Sequence, residues 1–542
     1  ERVYAPWPDM EAELRKEGIP LFSQESRDSL MDFDFLGFTL QYELSYSNIL
    51  NMLDMADIPV LSADRGEGMP FVVAGGPCAY NPEPLWKFVD LFVMGEGEEV
   101  TLEMMDLYRE WKKSGADRET FLRDACRIEG VYVPKFYDFT YNEDQTVKEL
   151  KALHEFAPMK IRKRIVKDLD QAYFPEKIIV PFIDIVHDRA VLEIFRGCTR
   201  GCRFCQAGMI YRPIRERSVE KLLAQADKIL ASSGYEEVSI SSLSTSDYPE
   251  LFPLVEQLIS RYKEDKVNMS LPSLRIDSFS MKLVQEIQKI RKSGLTFAPE
   301  AGTQRMRDVI NKGVDESDLL NSVGAAFECG YTGVKLYFMI GLPTETMEDV
   351  LGIGHLAQKV VERYYQVPKD VRGKGLSVNV SASSFVPKPF TPFQWVPQDN
   401  IQTLREKQMG LRDLIRTNRQ IQLSWHESKT SFMEAVFARG DRRVADALEL
   451  AWKKGAKFDG WDEHFRFDAW MEAFKELDLS IDFYTARMRS LDEVFPWDHI
   501  DVGVSKEYLK SEYQNALDAK LTPDCRNGCT GCGMNVLEGG VC

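Results

Sequence analysis

The residues with the clearest chemical potential are three cysteines, Cys198, Cys202 and Cys205, which follow the apolar run 192–195 at C-x3-C-x2-C spacing. Thiolates on one short loop can bind a single iron–sulfur cluster, and a [4Fe-4S] cluster held by protein alone takes four cysteines. Three thiolates leave one iron free to bind a substrate or cofactor. A zinc ion would want a fourth ligand close by, but the next Cys or His along the chain is Cys329. The spacing favours a catalytic iron–sulfur site.

A second group of cysteines lies at the carboxyl end of the sequence. Four thiols fall within residues 525–542, and three of them repeat the C-x3-C-x2-C spacing. Four thiolates suit either a structural zinc ion or an auxiliary iron–sulfur cluster. The alternative is an unstructured tail of reduced thiols. We expect metal binding, with these ligands: Cys525, Cys529, Cys532 and Cys542.

The composition excludes several classes of protein. Ten cysteines in 542 residues, most of them in two tight groups, are typical of metal ligation in a reducing compartment rather than of a disulfide scaffold. A formal net charge of −17 does not support general nucleic-acid binding. The sequence shows neither a leader pattern nor an apolar run of about 18 residues, the minimum for a membrane-spanning helix. We therefore expect a cytoplasmic protein with no membrane span.

The pattern of apolar residues predicts an α/β protein. In the first hundred residues, short apolar runs at 33–39, 70–74 and 91–94 alternate with helical patterns, which indicates a Rossmann-like, doubly wound domain. Hairpin strands are expected around 131–139. From 192 to 389, six strand patterns alternate with helical ones and predict a partial (β/α)6 barrel of the TIM type. These strands are expected at 192–195, 237–240, 268–271, 295–298, 333–339 and 377–381.

Beyond residue 397 the periodicity becomes mainly helical, and the chain ends in the Cys-rich tail. A chain of this length exceeds what one hydrophobic core usually supports, so we expect several structural units. The predicted units are 1–115 for the Rossmann-like domain, 116–185 for a linker or insert, 186–397 for the barrel, 398–520 for the helical domain and 521–542 for the tail.

The first cysteine group resembles the signature of the radical S-adenosylmethionine (SAM) superfamily, in which an aromatic residue, here Phe204, precedes the third thiol. The resemblance implies a radical SAM barrel whose open iron binds SAM. It further implies that the reduced cluster cleaves SAM to methionine and a 5′-deoxyadenosyl radical. An electron donor such as flavodoxin or ferredoxin would then be a partner.

Later strand ends resemble the SAM-binding segments of that superfamily. Serines stand in the run 239–245 where the family usually has a Gly-Gly-Glu-like turn, and Glu300 follows the predicted fourth strand. A carboxylate suits hydroxyl or ammonium donors, and barrel enzymes place their chemistry at the carboxyl ends of strands. The residues that the resemblance assigns to SAM are Phe204, Ser241, Ser242, Arg275, Glu300, Gly341 and Leu342.

Three segments of the first domain resemble the cobalamin-binding domain of cobalamin-dependent radical SAM enzymes. Paired glycines allow a backbone to approach a cofactor closely, although ordinary turn glycines explain Gly75-Gly76 alone equally well. The loop that carries a lower axial His in many such domains has no counterpart here, since the earliest histidine is His154. The residues that the resemblance assigns to cobalamin are Thr39, Gln41, Tyr42, Gly75, Gly76, Pro77 and Glu96.

The resemblance implies an enzyme that uses methylcobalamin to methylate an unactivated carbon of a small or macromolecular substrate. Two other radical reactions stay open: cobalamin-assisted cyclisation or rearrangement, and methylthiolation with a second iron–sulfur cluster. A hypothesis of another class is a non-catalytic iron–sulfur scaffold or RNA-processing partner, although a scaffold has no need of an open iron. The loops at the barrel mouth determine the substrate.

Overall fold

The computed structural model describes residues 1–183, 185–270, 276 and 295–536. The first domain is built on a four-stranded sheet in the order β1-β2-β3-β4. Its first three strands are parallel, β4 runs antiparallel to β3, and helices alternate with the strands. The Rossmann-like prediction is confirmed. The elements are α1 (Pro8–Glu17), β1 (Phe35–Thr39), α2 (Tyr46–Met55), β2 (Phe71–Gly75), β3 (Leu91–Val93), α3 (Gly97–Ser114), α4 (Arg118–Ala125) and β4 (Val131–Tyr132).

The hairpin expected around 131–139 lies further along the chain. Val131 and Tyr132 are buried and extend the first sheet, so they cannot form a separate hairpin. The antiparallel pair is β5 (Tyr137–Tyr141) with β6 (Val147–Ala152). Its turn is closed by the bond from the Asn142 N–H to the Thr146 carbonyl, 2.9 Å long. The next strand, β7 (Ile161–Arg162), pairs with β17 (Ile500–Asp501) and so ties the linker to the C-terminal region.

The barrel strands form two parallel sheets, ordered β12-β11-β8 and β13-β14-β15-β16. All six expected strands are present, and the last strand, β16, adds one within the segment where helices were expected. Its Ile-Gln-Leu-Ser-Trp alternation is short and sits between long helical patterns. The strands are β8 (Ala190–Glu193), β11 (Glu237–Ser241), β12 (Asn268–Ser270), β13 (Leu295–Glu300), β14 (Gly333–Ile340), β15 (Ser377–Ser384) and β16 (Ile421–Trp425).

Helices connect the barrel strands and fill the C-terminal region. Among the described helices, none is long and apolar enough to span a membrane. The barrel helices are α5 (Ala207–Ile210), α6 (Val219–Ser233), α7 (Leu251–Tyr262), α8 (Gln304–Val309), α9 (Glu316–Glu328), α10 (Met347–Gln366) and α11 (Ile401–Ile415). The later helices are α12 (Ser428–Arg439), α13 (Val444–Lys453), α14 (Phe467–Glu476), α15 (Ile481–Thr485) and α16 (Lys506–Leu517).

The C-terminal helices share one hydrophobic core with the N-terminal domain, whereas the barrel sheets have cores of their own. The shared core is locked by a buried ion pair in which Arg442 Nε lies 2.7 Å from Glu83 Oε2. The Asn81 amide also donates to the Ala438 carbonyl at 3.1 Å. The first and last parts of the chain therefore fold against each other, with the barrel between them in sequence.

Candidate functional site

The first cysteine group lies on the loop of a β-hairpin at the carboxyl end of β8. The hairpin strands are β9 (Phe195–Arg196) and β10 (Arg215–Glu216). Burial, reinforced by the neighbouring Cys202, raises the pKa of Cys198 to about 12 and that of Cys205 to about 11. Thiolates buried in this way need a positive partner, and an iron cluster supplies one.

The three thiols interact electrostatically with one another. No three His, Cys, Asp or Glu side chains in the described ranges lie at metal-coordination spacing. In a [4Fe-4S] cluster each thiolate binds a different iron, so the three ligands need not surround one metal ion. Their type fits an iron–sulfur cluster, because soft thiolates are its usual protein ligands.

The residues between these cysteines hold the C-terminal segment, a contact that the sequence patterns do not indicate. Arg203 is fully buried and binds Glu512, with Nε 3.1 Å from the carboxylate. Its other nitrogens donate to the carbonyls of Asp308 and Lys520. The Thr199 carbonyl accepts from the Cys525 N–H at 3.2 Å. The second cysteine group is thereby placed directly on the first.

The residues assigned to SAM lie at the carboxyl ends of the barrel strands, where the cysteine loop also lies. Ser241 ends β11, Glu300 ends β13, and Gly341 follows β14. The following residues, Ser242 and Leu342, are half-buried and buried, respectively. Phe204 is half-buried in a small apolar cluster with Met306 and Phe385. The remaining predicted residue, Arg275, lies outside the described residues.

Lys312 joins this site although no sequence motif marks it. Its Nζ lies 3.1 Å from Glu300 Oε1, and both groups act electrostatically on the thiol of Cys205. The Gly341 N–H donates to Glu345 Oε2 at 2.7 Å, and Glu345 pairs with Lys407 at 2.9 Å. Charged pairs thus position two of the strand ends assigned to SAM.

The glycines of the first domain serve close contacts within the chain itself. A Cβ on Gly76, whose φ is +107°, would lie 2.9 Å from the Leu40 carbonyl oxygen. A Cβ on Gly95 would overlap the Arg164 carbonyl oxygen. Gly75 ends β2, and Pro77 begins a 3-10 helix. The requirement for glycine at positions 76 and 95 is explained by packing of backbone against backbone.

Some polar side chains at the carboxyl edge of this sheet are accessible, whereas others are paired with residues of other elements. The Gln41 amide donates to the Thr39 hydroxyl at 2.7 Å, and both side chains are accessible. Tyr42 donates to Glu434 on α12 at 3.2 Å. Glu96 instead pairs with Arg215 of β10 at 2.7 Å. Glu96 therefore joins the sheet edge to the hairpin that carries the cysteine loop.

A buried charged cluster lies beside that edge. Lys388, which follows β15, has its Nζ 2.9 Å from Glu434 and also pairs with Glu43, which follows β1. Burial, with the nearby Glu43, raises the pKa of the Cys78 thiol. Cys78 also acts on Tyr211 of the cysteine loop. The carboxyl edges of the first sheet and of the barrel thus face each other.

Two family models match the chain. The model described as radical SAM proteins, N-terminal, matches residues 1–134, and the model of the radical SAM superfamily matches residues 192–357. The second range includes the cysteine loop and the strand ends described above. This chain belongs to the radical SAM superfamily.

Similarity to other proteins extends over different parts of the chain. An uncharacterised protein of Methanocaldococcus jannaschii is 27% identical over 452 residues, 81% of this chain and 85% of that protein. The ribosomal protein uS12 methylthiotransferase RimO of Clostridioides difficile is 24% identical, over 38% of this chain and 46% of its own length. The anaerobic magnesium-protoporphyrin IX monomethyl ester cyclase of Cereibacter sphaeroides is 22% identical, over 58% of this chain and 46% of its own length.

A solved structure shares the fold of this radical SAM protein. It is the radical SAM methyltransferase TsrM from Kitasatospora setae, with cobalamin and a [4Fe-4S] cluster bound. The two chains are 12% identical, the alignment covers 87% of this chain and 91% of TsrM, and the TM-score is 0.51. The agreement shows a shared fold over most of this chain.

Proposed function

We propose that this radical SAM enzyme cleaves SAM at a [4Fe-4S] cluster held by Cys198, Cys202 and Cys205, and that its first domain binds cobalamin for methyl transfer to an unactivated carbon. The single observation that carries the proposal is the meeting of two carboxyl edges. Glu96 of the first domain lies 2.7 Å from Arg215 of the cysteine hairpin. Ligands of parallel sheets bind at such edges, so two cofactors bound there would lie close together.

In this proposal the residues of the barrel position SAM. Glu300 accepts hydrogen bonds from hydroxyl or ammonium groups, and Lys312 Nζ lies 3.1 Å from its carboxylate. Ser241 and Ser242 offer hydroxyl groups at the end of β11. When bound, the cluster and SAM supply the 5′-deoxyadenosyl radical, and the electron comes from a donor such as flavodoxin or ferredoxin. Phe204 and Leu342 help exclude water.

The first domain has accessible polar groups that could bind cobalamin. The Thr39 hydroxyl and the Gln41 amide are open at the carboxyl edge, and both suit the amide groups around a corrin ring. Bound there, cobalamin would serve as the carrier of the methyl group. The sequence holds no histidine before His154, so we assign no lower axial ligand.

Methylthiolation is the second candidate function. Cys525 and Cys532 line the same cavity as Cys198, so a second sulfur-bearing centre would adjoin the site of radical formation. The relative of Clostridioides difficile is named as a methylthiotransferase. This candidate requires sulfur transfer and has no use for cobalt.

The test is anaerobic purification with iron and hydroxocobalamin, followed by reduction with dithionite in the presence of SAM. We expect bound cobalt, together with 5′-deoxyadenosine and methionine by mass spectrometry. Cys202→Ser should abolish both products, whereas Cys329→Ser, a half-buried cysteine outside both groups, should retain them. Product formation without cobalt would reject the cobalamin part in favour of methylthiolation. Absence of 5′-deoxyadenosine from the iron-loaded protein would reject the whole proposal.

A further inference from the structure

The cysteines of the C-terminal tail belong to a packed site. Cys525 and Cys532 line a cavity of about 640 Å³ together with Cys198, and Cys532 is almost completely buried. The segment is fixed to the barrel by the bond from the Cys525 N–H to Thr199 and by the ion pair between Asp524 and Arg200, 3.0 Å apart. Cys525 is half-buried and Cys529 is exposed, but the burial of Cys532 and the contacts that fix the segment are not expected of an unstructured tail.

Arg212 has one buried nitrogen at this site that is left unpaired, although its Nη2 donates to the Arg200 carbonyl at 3.4 Å. Its residue is only 4% exposed, and its Nε donates to the Gly208 carbonyl at 3.0 Å. Its Nη1 has no hydrogen-bond partner among the described residues. A buried donor left unpaired costs about 1–3 kcal/mol. Arg212 lines the same cavity as Cys525 and Cys532, so the site provides a cation beside two thiols.

We propose that Cys525, Cys529 and Cys532 bind a metal centre of their own as thiolates, and that Arg212 donates a hydrogen bond to one of these sulfurs. Soft thiolate ligands select zinc or an iron–sulfur cluster. Cys542, the expected fourth ligand, lies outside the described residues. Arg212 offsets part of the negative charge of the thiolates and thereby acts as a positioning residue.

The metal content of the full chain separates this centre from the first one. In Cys198→Ser/Cys202→Ser/Cys205→Ser, purified without oxygen, we expect about one zinc or about four irons per chain to remain. Adding Cys525→Ser/Cys529→Ser/Cys532→Ser should remove them, whereas adding Cys329→Ser should not. The absorption spectrum distinguishes an iron–sulfur cluster from zinc. A triple variant already free of metal would overturn the proposal.

The same centre can be tested in the chain with its first cysteine group intact. There, Cys525→Ser/Cys529→Ser/Cys532→Ser should lower the metal content by the same amount, and unchanged content would reject the proposal. The metal measurement requires no SAM cleavage and no cobalt. The proposal for the tail can therefore be rejected while the proposed function is supported, and the proposed function can be rejected while the proposal for the tail is supported.

The role of Arg212 has a separate readout. Arg212→Gln should weaken metal binding by about 10- to 100-fold in a competitive chelator titration, as loss of a group that orients metal ligands does. Arg526→Gln is the matched control, because Arg526 lines the same cavity but pairs with Glu216. Equal affinity in Arg212→Gln and the parent chain would show that Arg212 does not hold the sulfur.

Discussion

At the residue scale, the buried Arg203 decides whether the cysteine loop keeps its shape. The side chain of Arg203 is fully buried, and Glu512, its partner at 3.1 Å, is nearly so. Removing one partner of a buried pair leaves the other charge uncompensated and costs about 3–5 kcal/mol. We therefore expect Arg203→Met to lower the thermal midpoint and the retained iron.

A matched control is Arg2→Met, which removes an exposed ion pair with Glu25. Exposed pairs contribute little, so this variant should melt as the parent chain does. Differential scanning calorimetry and iron analysis compare the two. Equal thermal midpoints for Arg203→Met and Arg2→Met would contradict the assigned role.

His499 makes stability depend on pH. Burial, with Arg442 and Lys160 nearby, lowers the pKa of this histidine from 6.5 to about 3. The native state keeps His499 neutral, whereas the unfolded chain takes up a proton as the pH falls below 6.5. The contribution of the neutral His499 to the free energy of unfolding is therefore complete above pH 6.5 and is lost as the pH falls. At pH 5 the free energy of unfolding is lower by about 2 kcal/mol for this reason.

Replacing His499 by Phe should flatten this dependence. Neither ring nitrogen has a hydrogen-bond partner among the described residues, and the ring packs against Tyr132 at 4.7 Å between centroids. Thermal midpoints at pH 7 and pH 5 should therefore differ less in His499→Phe than in the parent chain. Glu83, whose pKa burial raises, titrates in both proteins, so an unchanged difference would reject the assignment to His499.

At the scale of elements, the end of β3 is held against the linker by a backbone contact. Gly95 has φ +97°, and a Cβ there would overlap the Arg164 carbonyl oxygen. Gly95→Ala should separate the two segments and destabilise the protein by more than the roughly 1–3 kcal/mol of local backbone strain. Limited proteolysis should then cleave the linker near Arg164 more rapidly.

Gly18→Ala is the control for Gly95→Ala. Gly18 follows α1 with φ +65°, and a Cβ there would meet nothing within 4 Å. Only the strain of a left-handed backbone applies, about 1–2 kcal/mol. A proteolytic pattern shared by both variants would show that the contact with Arg164 has no special importance.

At the scale of the whole molecule, the C-terminal segment closes over the cysteine loop of the barrel. Deleting residues 521–542 removes the partners that Thr522 and Cys525 supply to Asn311 and Thr199. Each buried group left unpaired costs about 1–3 kcal/mol. We expect the truncated protein to lose the iron of its first cluster on brief exposure to air. The measurement is the decrease of the visible absorption of the iron–sulfur cluster with time.

The Cys-to-Ser triple variant of the tail provides the comparison. It keeps the backbone contact between Cys525 and Thr199 but removes the thiols. We expect it to retain the first cluster longer in air than the truncated chain does. Equal decay of both would mean that the thiols, rather than the packing of the segment, protect the first cluster.

The sequence by itself determined the local features of this protein. The C-x3-C-x2-C spacing, the aromatic Phe204 and the six strand patterns depend on neighbours along the chain, and they indicated both the barrel and the superfamily. The roles of individual cofactor residues stay predictions. Periodicity located the strands because burial of one face imposes it within a few residues.

Tertiary structure decided which distant residues meet. Only the folded chain shows that Gly76 and Gly95 face backbone atoms, that Glu96 pairs with Arg215, and that β16 extends the barrel sheet. It also shows that the tail contacts the cysteine loop through Arg203, which donates to the Thr522 hydroxyl. Such contacts join residues up to several hundred positions apart, and no local pattern encodes a partner that distant. Packing and charge pairing in the complete fold select it.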